Sequence, residues 1–87
     1  MRLGILRGRA QPTRKVTLLL QCFDADSCRV AFEPWGSVAT LRADDTFRLE
    51  VVGPTDLVVE VAHRPDGLSV WAEDVTAWDK KGDPIRI

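Results

Sequence analysis

The sequence contains few of the residues on which metal and catalytic centres depend. Its 87 residues include no tyrosine, a single histidine (His63), a single methionine and two cysteines. A blue-copper centre needs two histidines with a cysteine, and a zinc site usually takes two closely spaced pairs of cysteine or histidine ligands. No glycine-rich phosphate loop and no G-x-S-x-G motif occurs in the chain. The sequence therefore predicts no metal site, no cofactor and no catalytic activity.

Long apolar runs are missing as well. No run approaches the roughly 18–20 residues that a membrane span needs, and the arginines scattered through the N-terminal residues do not fit a secretory signal. We therefore expect no membrane contact and a cytoplasmic location. The composition, 45% hydrophobic and 29% charged, is ordinary for a globular protein, and 87 residues leave room for one folded domain.

The net charge of -1 conceals an uneven distribution of charge along the chain. Residues 1–23 carry five basic side chains and no acidic one, whereas the rest of the chain carries seven basic and thirteen acidic side chains. We therefore divide the chain into a basic arm, residues 1–14, and a β-sandwich domain, residues 15–87. The arm could be solvated, fold back on the acidic domain, or contact an anionic partner. The basic residues concerned are Arg2, Arg7, Arg9, Arg14 and Lys15.

Turn-forming sequences recur about every ten residues from position 24 onward, and short runs rich in Val, Leu, Phe, Thr and Trp lie between them. Such spacing is typical of all-β proteins. The sequence predicts a small antiparallel β-sandwich or barrel of about six to eight short strands, with little or no helix. Residues 46–52 form one of these strands and contribute Phe47, Leu49 and Val51 to the core.

Two hairpins would sort apolar from polar side chains cleanly, because alternate residues of a strand face opposite sides of a sheet. Across the DADS turn at residues 24–27, the predicted first hairpin pairs Cys22 with Cys28, Leu20 with Val30, and Leu18 with Phe32. Across the RPDG turn at residues 64–67, the second pairs His63 with Leu68, Val61 with Val70, and Val59 with Ala72 on the core side, and Glu60 with Trp71 outside.

The segment Phe32-Glu33-Pro34-Trp35-Gly36, followed by Leu41 and Asp45-Thr46-Phe47-Arg48-Leu49, resembles a group of small uncharacterised bacterial β-sandwich proteins. Those carry an EPWG or EPxG turn and then a Leu-x-Pro-Gly-Asp/Glu-x-Phe segment. The likeness covers roughly residues 15–73, and this chain has Ala43-Asp44 where the group usually has Pro-Gly. No activity or site is established for that group, so the resemblance implies a fold and no function.

Cys22 and Cys28 form the C-x5-C pair and would lie opposite each other in the first hairpin. Directly opposed residues have Cα atoms roughly 4.5–5.5 Å apart, close to the separation in a disulfide. Because a cytoplasmic compartment is reducing, buried thiols that behave as small apolar residues are the default interpretation. A disulfide, either structural or redox-labile, is the alternative. His63 lies at the end of a hairpin strand and is not expected to act on either cysteine.

The tryptophans are the more informative aromatic residues. Trp35 lies in a predicted turn, and Trp71 lies on the outer face of the second hairpin beside Val58 and Glu60. An exposed tryptophan is a common anchor for a protein partner. Alternatively, the N-terminal segment or residues 84–87 could cover Trp71.

These patterns favour a non-catalytic module that binds a protein partner or associates with itself. The residues expected to take part are those of the basic arm together with Trp71 and Trp35. Two alternatives remain at this stage. The first is nucleic-acid binding through the basic arm, with little sequence preference and strong salt dependence. The second is a small thiol/disulfide redox protein that uses Cys22 and Cys28.

Overall fold

The structure, a computed structural model, describes residues 12–87 of the chain. Arg2, Arg7 and Arg9 of the basic arm lie outside the described residues. Residues 12–87 form eight strands and no helix: β1 Thr13–Leu20, β2 Ser27–Glu33, β3 Ser37–Arg42, β4 Phe47–Pro54, β5 Glu60–Arg64, β6 Gly67–Trp71, β7 Val75–Trp78 and β8 Pro84–Ile85. β1 therefore includes Thr13 and Arg14, the last two residues of the basic arm, so the first strand begins two residues before the predicted domain boundary.

The strands form two four-stranded sheets, which we call sheet 1 (order β1-β4-β7-β8) and sheet 2 (order β3-β2-β6-β5). Neighbouring strands among residues 12–87 are antiparallel except β2 and β6, which run parallel. The predicted all-β sandwich of six to eight strands is confirmed. The parallel β2–β6 pair is the departure from a purely antiparallel arrangement.

The core lies between the two sheets and follows the alternation of side chains along each strand. In β4, the side chains of Phe47, Leu49 and Val51 are at most 4% exposed, and the residues between them face outward. This confirms the core residues predicted for residues 46–52. The buried apolar cluster combines residues of both sheets: Leu20, Cys22, Val30, Phe32, Leu41, Phe47, Leu49, Val70 and Ala77.

The first predicted hairpin is wrong. β1 pairs with β4, so that Leu18 lies opposite Leu49 and Leu20 opposite Phe47. β2 belongs to the other sheet, where it pairs with β3 and β6. The apolar side chains of β1 and β2 do face the same interior, but across the sandwich rather than side by side. An alternating pattern indicates which face of a strand is buried. That face is the same whether β1 and β2 pair in a hairpin or pack against each other from opposite sheets.

The second predicted hairpin is confirmed in its register over residues 60–64 and 67–71, while the predicted pair of Val59 with Ala72 lies beyond the paired residues. β5 and β6 pair from Glu60 opposite Trp71 to Arg64 opposite Gly67, with Val61 opposite Val70 and His63 opposite Leu68. Val61 nevertheless remains 46% exposed. β5 is the last strand of sheet 2, and a side chain on an edge strand has a neighbouring strand on one side only.

The EPWG sequence forms the connection between β2 and β3. The backbone N–H of Gly36 donates a hydrogen bond of 2.8 Å to the carbonyl of Phe32. Gly36 has a φ of 78°, a left-handed conformation that glycine adopts without a steric penalty. This hydrogen bond and the conformation of Gly36 close the turn that reverses the chain between β2 and β3.

Candidate interaction site

Trp71 is the last residue of β6 and lies between two acidic neighbours in sheet 2. Its Cα partners are Glu33 of β2 and Glu60 of β5. The preceding residue, Val70, is buried in the core at 1% exposure, so Trp71 points to the opposite face and is 45% exposed. Val58 is 83% exposed. The structure thus places Trp71 on the outer face of the hairpin, with Val58 and Glu60 near it, as the sequence pattern predicts.

An open groove of about 650 Å³ lies beside Trp71, at the end of the sandwich where β4 and β6 finish. Its walls come from three connections that are distant in sequence, the β2–β3 turn, the β4–β5 loop and the β6–β7 loop, together with the adjoining ends of β4, β5 and β6. We call it the Trp71 groove. Its apolar wall contains Pro34, Pro54, Leu57, Val58 and Trp71, and its acidic rim contains Glu60, Glu73 and Asp74.

Backbone hydrogen bonds hold the walls of the Trp71 groove to both sheets. The N–H of Ala72 donates to the carbonyl of Glu33 at 2.9 Å, and the N–H of Val52 donates to the carbonyl of Asp74 at 3.0 Å. In the β4–β5 loop, the N–H of Leu57 donates to the carbonyl of Pro54 at 2.9 Å. The groove is therefore anchored to strands of both sheets.

The charge of the groove has one sign. The described residues that line it include three carboxylates and no lysine, arginine or histidine. Within residues 12–87, Glu60, Glu73 and Asp74 form no salt bridge; the ion pairs found there involve Glu50 and Asp66. Three carboxylates with no cation between them create a negative potential in a concave surface, where the surrounding protein concentrates the field.

The other residues predicted to bind a partner are dispersed. Trp35 is 56% exposed and lies at the same end of the sandwich, but it is not part of the groove lining. Arg14 and Lys15 are exposed on β1, and the Lys15 Nζ lies 3.9 Å from the Glu50 Oε1. Because the remaining three arginines lie outside the described residues, nucleic-acid binding by the arm stays a prediction.

The third tryptophan and the last residues of the chain belong to sheet 1. The guanidinium of Arg48 lies 4.5 Å from the ring centroid of Trp78, a cation–π contact on the outer face. β8 pairs with β7, and Ile85 and Ile87 pack against the core. Residues 84–87 are therefore engaged in sheet 1 and do not cover Trp71, which removes one of the two covers considered from the sequence.

Cys22 and Cys28 are joined by a disulfide, with their Sγ atoms 2.08 Å and their Cα atoms 5.9 Å apart. The bond links the residues that follow β1 in sheet 1 to β2 in sheet 2. Cys28 lines a second cavity, of about 330 Å³, together with His63 and the exposed Phe23. His63 and Cys28 therefore line the same cavity, which the sequence did not predict. Both sulfur atoms are engaged in the disulfide, so neither cysteine presents a thiol to the imidazole.

The opposite end of the sandwich is organised around Asp45. Its Oδ1 accepts hydrogen bonds from the backbone N–H of Thr46 at 2.7 Å and of Lys80 at 3.0 Å. These two donors, that of Lys80 first, hold the pKa of the Asp45 carboxyl below its ordinary value. The Lys80 Nζ also donates to the carbonyl of Asp44. These contacts tie the β3–β4 loop to the β7–β8 loop.

The sequence pattern predicts the outward position of Trp71 but not the rest of the groove. Leu57, Glu73 and Asp74 lie in loops, and the sequence gives no sign that these loops meet. A strand pattern reports which side chains share a face of one strand. It does not report which loops share an end of the sandwich. The sequence does offer one signal: Val58 and Trp71 are each followed two residues later by a glutamate, Glu60 and Glu73.

Comparisons with models of known families, with curated proteins and with solved structures gave no significant match. None of the described residues forms a helix long and apolar enough to cross a membrane, and residues 12–87 contain no cluster of three or more potential metal ligands.

Proposed function

We propose that the protein is a non-catalytic interaction module that binds an extended, basic and apolar protein segment in the Trp71 groove. The observation that carries this proposal is the combination of a half-exposed tryptophan with a rim of three carboxylates. Partially exposed aromatic residues are the usual energetic anchors of protein interfaces. A carboxylate rim selects for arginine or lysine in the partner.

The shape of the groove supports a segment of chain as the ligand. It is open to solvent and is formed by loops and strand ends at one end of the sandwich, where a partner can approach without competing with strand pairing. Val58, at 83% exposure, and Trp71 supply the apolar area that an aliphatic side chain would cover. Glu60, Glu73 and Asp74 supply three sites for charge-assisted hydrogen bonds.

A displayed library of random twelve-residue peptides tests this proposal. The library is selected on the full chain and on the full chain carrying R2Q, R7Q and R9Q, so that the chain's own arginines cannot compete for the rim. We expect selected peptides to combine aliphatic residues with arginine or lysine. Their affinity should fall about tenfold or more with Trp71→Ala, because a buried anchor is lost, and should fall as salt rises.

Trp35→Ala is the matched control, since it removes an indole of similar exposure at the same end but outside the groove lining. It should leave the affinity of the selected peptides unchanged. The proposal fails if neither form of the chain selects basic and apolar peptides. It also fails if Trp71→Ala weakens their binding no more than Trp35→Ala does.

A further inference from the structure

The described chain begins at the edge of the Trp71 groove. Thr13, the first residue of β1, lies opposite Pro54 of β4, and Pro54 belongs to the apolar wall of the groove. Residues 1–11 are therefore attached, through Pro12, beside the groove. Eleven residues of extended chain span about 36 Å, so a segment attached at this point can reach along the groove without a second copy of the protein.

The sequence of residues 1–11, MRLGILRGRAQ, is complementary to the groove: it is basic where the rim is acidic, and it is also rich in aliphatic residues. It contains Arg2, Arg7 and Arg9 and no acidic residue, together with Leu3, Ile5 and Leu6. Residues 12–87 contain nine basic against thirteen acidic side chains, a formal charge of -4. Three arginines in the segment match three carboxylates of the rim. The aliphatic residues of the segment match the apolar wall.

The groove contains groups that such a segment would satisfy. Glu60, Glu73 and Asp74 have no salt-bridge partner within residues 12–87, and Val58 and Trp71 expose apolar surface beside them. Two segments of the chain are candidates to cover Trp71: the N-terminal segment and residues 84–87. The segment of residues 84–87 is engaged in sheet 1, which leaves the N-terminal segment.

We propose that residues 1–11 bind the Trp71 groove of their own chain, with the arginines on the acidic rim and the aliphatic side chains on Trp71 and Val58. The inference rests on the groove identified under the proposed function and adds an internal ligand to it. An external partner must then displace this segment. Because the segment is tethered at the groove, it competes at a high effective concentration, and the affinity for a partner is lowered accordingly.

The experiment records the three tryptophan indole N–H resonances of the full chain by NMR, with Trp71 assigned from a Trp71→Phe variant. The variant R2Q/R7Q/R9Q is compared with R42Q/K81Q/R86Q, which loses the same charge at exposed residues outside the groove. We expect the first variant to shift the Trp71 resonance several-fold more than those of Trp35 and Trp78. The control variant should leave the Trp71 resonance in place.

Three further measurements test the same contact. Raising the salt to about 1 M should move the Trp71 resonance of the parent towards its position in R2Q/R7Q/R9Q, because screening weakens the exposed ion pairs. The rim variant E60Q/E73Q should produce a similar shift. Peptides selected for the groove should bind R2Q/R7Q/R9Q about tenfold more tightly than they bind the parent.

A Trp71 resonance that responds equally to the arm variant and the control variant would overturn the inference. A shift that depends on protein concentration and accompanies a dimeric mass would also overturn it, because the segment would then come from a second copy. If the selected peptides require Trp71 but bind the parent and R2Q/R7Q/R9Q equally, the internal ligand is disproved and the proposed function stands. If no peptide requires Trp71, the proposed function itself is disproved.

Discussion

Gly67, the first residue of β6, lies opposite Arg29 of β2 in the parallel strand pair. A Cβ atom added to Gly67 would lie 1.8 Å from the carbonyl oxygen of Arg29, and the residue has a φ of 156°. The N–H of Arg29 also donates to the carbonyl of Asp66 at 2.8 Å, so the two backbones cannot separate without losing a hydrogen bond. Glycine is therefore required here by the parallel strand pair as well as by the RPDG turn.

Gly67→Ala should lower the free energy of unfolding by about 3 kcal/mol, because the new methyl group overlaps backbone atoms that cannot move independently. Gly82→Ala is the matched control. Gly82 has a φ of 88° but no atom within 4 Å of the added Cβ, so the same substitution there should cost about 1 kcal/mol. Urea unfolding of the two variants measures the difference, and equal losses would contradict this account.

The carboxyl group of Asp45 should make the stability of the fold depend on pH. Hydrogen bonds from the backbone of Lys80 and Thr46 lower its pKa in the folded protein. A carboxyl group with a lower pKa in the folded than in the unfolded state stabilises the fold above its unfolded pKa, near 4. That contribution is lost as the pH falls through the folded pKa.

Asp45→Asn should therefore destabilise the protein at pH 7, and the difference from the parent should diminish as the pH falls below about 4. Asp56→Asn, at an exposed aspartate of the β4–β5 loop, serves as the control and should not change the stability at pH 7. Thermal unfolding between pH 2 and pH 7 follows both variants. A constant difference between the parent and Asp45→Asn over this range would disprove the role of ionised Asp45.

At the scale of elements, β1 and β2 show what a strand pattern leaves open. Both strands alternate apolar and polar side chains, and both supply their apolar faces to the core. Hairpin pairing and face-to-face packing bury the same side chains, so the pattern cannot distinguish them. By contrast, β5 and β6 are joined by a tight turn whose geometry restricts their register. The sequence therefore predicted the second hairpin correctly.

The Cys22–Cys28 disulfide connects the two sheets and closes a short loop, with a sequence separation of six residues. Replacing both cysteines with alanine should lower the free energy of unfolding by about 2 kcal/mol, as expected for closing a loop of this length. Adding a reductant to the parent should produce a loss of similar size. The reductant should not change the free energy of unfolding of the double variant. If it leaves that of the parent unchanged as well, the disulfide does not stabilise the protein.

At the scale of the whole molecule, the two sheets share one core and neither can bury its inner face alone. Phe32 of sheet 2 and Leu49 of sheet 1 are both fully buried in the same apolar cluster. A domain of this size has only about 5–15 kcal/mol of net stability. Losing one large core side chain should therefore weaken both sheets together.

Phe32→Ala should cost about 3–5 kcal/mol and should speed amide hydrogen exchange in β4 of sheet 1 as much as in β2 of sheet 2. Val58→Ala, at a residue 83% exposed, should change exchange in neither sheet. Exchange that quickens in sheet 2 alone would show that the sheets unfold separately, contrary to the shared core.

The sequence by itself determined the local features of this protein: its division into short strands, the tight turn between β5 and β6 and the register of these two strands, the buried residues of β4 and the outward position of Trp71. Each depends on side-chain alternation or turn chemistry within about ten residues. Tertiary structure decided that β1 pairs with β4, that β2 runs parallel to β6, and that three distant loops meet around Trp71. These depend on how two apolar faces close over one core, and many strand orders satisfy the same local pattern.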